Sequence, residues 1–159
     1  MFVVLLSVAT SFACTKTAPS NPPSFADAIE AGRFVNVHPM ITNANFPLVG
    51  PVAAVSDMLT VSPDGLTSTG NDVSLAEIES NIDRTGLHRA TLADLLAYAK
   101  AKWNGRECVF ALGSSWVDPR GHRNTPYLCD YGDGRELGLL QRGPEDRWDD
   151  YFSFLVVRK

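Results

Sequence analysis

Pro126-Tyr-Leu-Cys-Asp-Tyr-Gly-Asp-Gly-Arg-Glu-Leu-Gly-Leu-Leu-Gln-Arg142 reads as two strands, Pro126 to Asp130 and Arg135 to Arg142, around a tight Asp/Gly loop. Within Leu137-Gly138-Leu139-Leu140, alternation sets Leu137 and Leu139 on one face and Gly138 and Leu140 on the other. Glu107 to Leu112 and Tyr151 to Arg158 are further strands. Upstream the period changes. Ser74-Leu-Ala-Glu77 is a capping box that opens a helix through Asp83, with Leu75, Ile78 and Ile82 on one face and Gly86 beyond its end. Thr91-Leu-Ala-Asp94 opens another, whose buried stripe is Leu92, Leu95, Leu96 and Ala99. Helices come first and a small antiparallel sheet with long loops follows, so the class is α+β.

Further out the pattern thins. Phe25, Ala28, Ile29 and Ala31 make a short amphipathic helix, capped by Ser24 and closed by Gly32. Phe34 to Pro51 is loop-rich, with Phe34, Val35, Phe46 and Leu48 expected in the core. Val52 to Val61 suits either a buried strand or a short helix, and Pro63-Asp64-Gly65 is a turn.

The chain has 159 residues, 45% of them hydrophobic and 20% charged, enough apolar material for one core and too little length for two full domains. Its formal net charge of -4 points away from nucleic acid, whose general binders are basic. Met1 to Ala13 carries no charge, and its run Phe2-Val-Val-Leu-Leu6 is too short to span a bilayer but suits the apolar core of an export signal. Ser11-Phe-Ala13 sets small residues before Cys14, so Cys14 is the expected first mature residue and lipid anchor, as in bacterial lipoproteins. Residues 14–24 form a Pro/Ser-rich linker and residues 25–159 a single domain.

The last third has an unusual composition. Lysine is absent between Trp103 and Arg158, although Arg106, Arg120, Arg123, Arg135, Arg142 and Arg147 fall there, and asparagine occurs only at Asn104 and Asn124. Val117 to Ser153 is crowded with Asp, Gly and Arg, with His122, Cys129, Tyr131 and Ser153 among them. These side chains share little chemistry, but they share codons: changing the adenines of an Asn codon yields all of them and never Lys, Glu, Gln, Met or Trp. Bulky apolar residues thread the mixture at strand-like positions: Trp116, Tyr127, Leu128, Leu137, Leu139, Trp148, Phe152, Phe154 and Val156. A fixed core face beside an arbitrary solvent face is what a surface built for variation requires.

The words Ala111-Leu-Gly-Ser-Ser-Trp116, Pro126-Tyr-Leu128, Leu137-Gly-Leu139 and Trp148-Asp-Asp-Tyr-Phe-Ser-Phe-Leu-Val-Val-Arg-Lys159 resemble the variable region of target proteins of diversity-generating retroelements. In that family, error-prone reverse transcription at template adenines rewrites part of a ligand-binding domain. The stretch Val73 to Ala101 also looks like the part that precedes the variable segment in bacterial members. The resemblance implies a C-type-lectin-like fold, which formylglycine-generating enzymes share, and a variable region over residues 117–153. It implies that the ligand is chosen by Asp118, Arg120, His122, Arg123, Asp130, Tyr131, Asp133, Arg135, Gly138, Leu140, Arg142, Asp146, Arg147, Asp149, Asp150, Tyr151 and Ser153. Glu136, Gln141 and Glu145 cannot arise from an Asn codon by adenine changes alone, so they are fixed or the template differs there.

Rival chemistries are weaker. Asp130, Asp133, Glu145, Asp146, Asp149 and Asp150 could offer oxygens to calcium, and Trp148-Asp-Asp150 faintly echoes the Trp-Asn-Asp of calcium-dependent lectins. The Glu-Pro-Asn or Gln-Pro-Asp partner motif is missing and the nearby arginines offset the charge, so solvated loop carboxylates are expected and no metal or cofactor. His38, His88 and His122 sit in separate contexts, Gly113-Ser-Ser115 lacks the second glycine of a nucleophile elbow, and an Asp133/Glu145 pair is no more than any acidic surface offers. No enzyme is expected. Cys108 reads as a small core residue, and whether it pairs with Cys129 stays open: export would permit the bond, but Cys129 sits where the resemblance implies variation, which argues against a required one. Trp116 and Trp148 suit the core, Tyr131 and Tyr151 suit contact.

The expectation is therefore an exported, surface-anchored binding domain. Its partner is a protein or glycan at a cell or phage surface, with no nucleic acid and no membrane beyond the lipid on Cys14. A fixed-sequence lectin-like adhesin or receptor module that binds carbohydrate is the alternative.

Overall fold

Three helices start where side chains satisfy their first free N–H groups. Ser24, Ser74 and Thr91 each accept from the backbone three residues on, while Asp27, Glu77 and Asp94 reach back to the cap. The helices that follow are α1 (Phe25–Ala31), α3 (Leu75–Arg84) and α4 (Leu92–Ala101); α2 is the single turn Pro63–Leu66, where the sequence suggested only a turn. A computed structural model of the chain describes residues 23–66, 73–143, 146–148 and 151–159. The expected signal segment, Cys14 and all but the end of the linker lie outside the described residues.

The architecture is α+β, with the sheet larger and less regular than the sequence suggested. Its strands are β1 (Asn36–Val37), β2 (Met58–Val61), β4 (Leu87–Arg89), β5 (Cys108–Phe110), β6 (Trp116–Val117), β7 (Arg123–Asp130), β8 (Arg135–Gln141) and β10 (Phe152–Arg158). Their order is β1-β8-β7-β5-β10-β2, with β4 beside β10 and β6 beside β7. A second small sheet pairs β3 (Val73–Ser74) with β9 (Arg147–Trp148). The large sheet is mixed rather than antiparallel, because β1 runs parallel to β8 and β5 parallel to β10. Val52 to Val61 resolves into both readings, a short 3-10 turn at Val55–Asp57 and then β2.

Both faces of the sheet carry an apolar cluster, so the expected solvent face is narrowed to part of one of them. On one, Val109, Ala111, Leu128, Leu137 and Leu155 meet Leu92, Leu95, Leu96 and Ala99 of α4, with α1 packed against the cluster. On the other, Phe110, Cys129, Phe154 and Val156 meet Leu75, Ile78 and Ile82 of α3 and the buried Trp148 of β9. The alternation of β10 is legible in this split: Phe152, Phe154 and Val156 point one way, Leu155 and Val157 the other. Burying both faces of one sheet is how so short a chain obtains two apolar clusters.

Two smaller expectations change as well. Val35 is 68% exposed, outside the core that Phe46 joins. Trp116 is half-buried at the margin of the first cluster, on the two-residue strand β6.

Candidate functional site

The β7–β8 hairpin carries seven of the seventeen residues singled out in the sequence, and it separates them. Its register runs from Asn124 opposite Gln141 to Asp130 opposite Arg135, so its ends lie roughly 20 Å apart at ~3.3 Å per residue. At one end Asp118 builds a turn. Its Oδ1 accepts from the N–H groups of Arg120 and His122, each at 2.9 Å, and its Oδ2 lies 3.2 Å from His122 Nδ1. The N–H of His122 is the main reason that the Asp118 carboxyl stays below the usual Asp range, against a smaller opposing effect of burial. Arg120 projects from this turn, exposed.

At the other end Asp130 closes the loop, where its Oδ1 accepts from Gly132 N at 2.8 Å and Gly134 N at 3.3 Å. Both glycines have positive φ, 99° and 125°, which side chains resist. A carboxylate spent on its own loop is a poor offer to calcium. Asp133 is exposed beside it. Among the described residues no three His, Cys, Asp or Glu side chains gather as metal ligands.

Several of the expected contact residues prove to be framework. Arg123 spans from the sheet to α3: its Nη2 lies 2.6 Å from Glu79 Oε1, the atom that Arg89 Nη1 approaches at 3.3 Å. Arg135 stacks its guanidinium 4.9 Å from the Trp103 ring centre, with Phe34 at 5.9 Å, and donates to Ala99 O in the last turn of α4. Burial, then the neighbouring Arg33, lowers its pKa. Ser153 and Gly138 are buried, so neither displays a side chain. Ser153 is 8% exposed on the central strand β10. Asp146 accepts from Gly143 N at 2.8 Å, and Arg147 lies 3.6 Å from Glu77, both at exposed positions. Asp149, Asp150 and Glu145 lie outside the described residues.

Three of the expected residues, Leu140, Arg142 and Tyr151, border the second apolar cluster, and Tyr131 lies beside Tyr127 on the same face. Tyr131 is 62% exposed and Tyr151 is 60% exposed, while Leu140 and Arg142 are half-buried between solvent and the apolar cluster. The Tyr151 ring stands edge-on to Phe152 at 5.3 Å, with its Oη 3.7 Å from Cys108 Sγ. The Arg142 guanidinium lies 5.3 Å from the Trp148 ring centre and 6.0 Å from that of Phe152. Phe152 meets Phe110 at 5.5 Å, and Phe110 meets Tyr127 at 5.2 Å.

Tyr127 completes this face. Its hydroxyl donates to Glu136 Oε1 at 3.0 Å, and burial, Tyr131 and Glu136 in that order push its pKa above the normal tyrosine range. The sequence placed Tyr127 and Phe152 in the framework and Glu136 among positions that are fixed or differ in the template. The signal that could have found them is register: Tyr127 stands opposite Gly138 and Cys129 opposite Glu136, on the face that Leu140 also occupies. The result is a run of tyrosine, phenylalanine and arginine over a packed floor, with one carboxylate inside it. Such side chains supply large contact area at low entropy cost and adaptable polar edges.

The floor is tied down. Cys108 and Cys129 form a disulfide between β5 and β7, with Cα atoms 4.4 Å apart. It settles the pairing that the sequence left open, and its cause is register: Val109 opposite Leu128 brings the preceding and following cysteines face to face.

Elsewhere, a groove of about 430 Å³ runs between α1 and α4, lined by Ala28, Ala31, Ala93, Leu96 and Ala97, with Asp27 and Lys100 beside them. It lacks the convergent polar groups that orient a small ligand. His38, His88 and His122 stand on separate elements, a loop, β4 and a turn. Among the described residues no helix is long and apolar enough to cross a membrane. Set against known proteins, the chain matches no family model, no curated protein and no solved structure.

Proposed function

We propose that this chain is a ligand-binding domain of C-type-lectin-like architecture, exported and held at the cell surface by a lipid on Cys14. Its recognition face is rewritten by adenine-directed mutagenesis from a retroelement. Recognition is non-covalent, and the target is a protein or glycan at a cell or phage surface. The observation that carries this reading is that Leu140, Arg142 and Tyr151, positions with the codon signature, border one aromatic cluster built on buried Phe110, Trp148 and Phe154, with Tyr131, a fourth such position, beside Tyr127. A floor of that kind keeps its stability while the side chains above it change. The Cys108–Cys129 disulfide suits an oxidising compartment and so supports export.

The decisive experiment is the nucleotide sequence of the gene and its surroundings. A near-copy of the Trp116–Lys159 coding segment, mismatched only at adenines of the copy and close to a reverse transcriptase gene, is expected. Absence of both would leave a fixed-sequence lectin-like module, to be screened against carbohydrates with and without calcium.

A further inference from the structure

Glycine in the middle of a strand needs a reason, because it weakens the strand and packs nothing. At position 138 the reason is Tyr127, its cross-strand partner. A Cβ built on Gly138 would meet Tyr127 Cζ, Oη and Cε1, all closer than any van der Waals contact allows, and these three are its nearest neighbours. The ring therefore lies across β8 in the space that a side chain at 138 would fill, the arrangement in which an aromatic residue covers a glycine on the facing strand. All three clashing atoms belong to the free end of a rotatable side chain; no backbone atom is among them. The φ of Gly138 is not positive, so the strand itself accepts a side chain there.

We propose that residue 138 is the positioning residue of the aromatic face: glycine lets Tyr127 lie flat over β8, and any larger residue turns Tyr127 outward into the ligand's path. This rests on the reading of that face as the recognition surface. Position 138 is then a conformational setting rather than a contact. With glycine, the Tyr127 hydroxyl is occupied by Glu136, and Tyr131 and Tyr151 are the tyrosines a ligand meets. With serine, one of the residues an adenine change at an Asn codon can supply, Tyr127 leaves Glu136 and a third tyrosine and a free carboxylate join the surface. One codon change thereby alters the face at three residues, 127, 136 and 138.

The test needs no ligand, so it can fail independently of the binding function. Tetranitromethane nitrates the phenolate form of exposed tyrosines, and peptide mass spectrometry assigns the product among Tyr98, Tyr127, Tyr131 and Tyr151. Nitration of Tyr127 near pH 8 should rise about tenfold or more in Gly138→Ser, since each unit of pKa lowered toward the ordinary value gives tenfold more phenolate. Tyr98, buried in the other cluster, should stay protected in both proteins. Unchanged protection of Tyr127 in a folded Gly138→Ser variant overturns the proposal. Melting in a Tyr127→Ala background decides the matter even if the single variant does not fold. With the ring removed, Gly138→Ser should cost much less in Tm than it does beside Tyr127. Equal losses, or an unfolded double variant, would mean that the glycine serves the backbone.

Discussion

The two faces of the sheet are buried by different means. The first is covered by secondary structure: α4 lays Leu92, Leu95, Leu96 and Ala99 on it, and α1 closes the side. The second is covered by α3 over only part of its width; the remainder is roofed by Phe152, Tyr127 and the guanidinium of Arg142, over the buried Trp148. A helix hides a sheet and keeps its own polar face for solvent, whereas a roof of single side chains is at once core and surface. On the function proposed above, that difference makes the second face the one suited to recognition. There, changing a side chain changes what a partner meets without dismantling an element.

The comparison breaks first if the aromatic floor is dispensable. Trp148 and Phe154 are almost wholly buried, with ring centres 5.2 Å apart. Trp148→Ala or Phe154→Ala should each lower unfolding free energy by about 3–5 kcal/mol in urea titrations. A loss below about 1 kcal/mol would mean that the roof does not depend on its floor.

The next effect belongs to the disulfide, which closes a loop of 21 residues in sequence separation on the second face alone. The double variant Cys108→Ser/Cys129→Ser should lose about 2–4 kcal/mol. Hydrogen exchange should concentrate the loosening in β5 and β7, and leave α4 protected longest. On the first face, Thr91→Ala removes one half of the α4 capping box and should cost about 1 kcal/mol by the same titration.

The displayed residues sharpen the contrast from the other side. Tyr131→Ala and Tyr151→Ala should each change stability by no more than about 0.5 kcal/mol, because both rings are mostly in solvent. On the proposed function, their loss should instead weaken binding to any surface or glycan that the wild-type protein is found to bind. Melting losses comparable with that of Trp148→Ala would erase the distinction between floor and display.

How much of this was legible depends on the range of the forces involved. Capping boxes at Ser74 and Thr91 are decided within four residues, so α3 and α4 start where the sequence puts them. Strand β1 is two residues long and exists because Asn36 and Val37 meet Glu136 and Leu137, a hundred residues away in sequence; no local pattern announces it. The same holds for β4, His88 opposite Val157. Alternation in Leu137-Gly138-Leu139-Leu140 assigned the two faces correctly, but not that Tyr127 covers the second of them. Arg123 and Arg135 look like surface residues because arginine usually is one. Glu79 and the Trp103 ring, distant in sequence, draw them into the framework. Local rules gave the helices and the strand faces. Which polar side chains are free for a partner is a question of tertiary packing, and there composition alone overcounted.

The smallest predicted effect tests whether the turn at Asp118 is scaffold or display. Its carboxylate accepts from two backbone N–H groups, and these hold its pKa in the folded state below the Asp value of 3.8. A carboxyl that is more acidic folded than unfolded stabilises the protein while it is ionised. That contribution is complete above the unfolded value and disappears as pH falls through the lower, folded one. Asp118→Asn should therefore be less stable than wild type near neutral pH, and the gap should narrow as the solution is taken from neutral pH to below 3.8. Denaturation midpoints of the two proteins at neutral and acid pH measure it. A gap that stays constant with pH would show that the ionised carboxylate contributes nothing to the turn. Asp118 would then return to the set of side chains on offer to a ligand, and the display would extend to both ends of the hairpin.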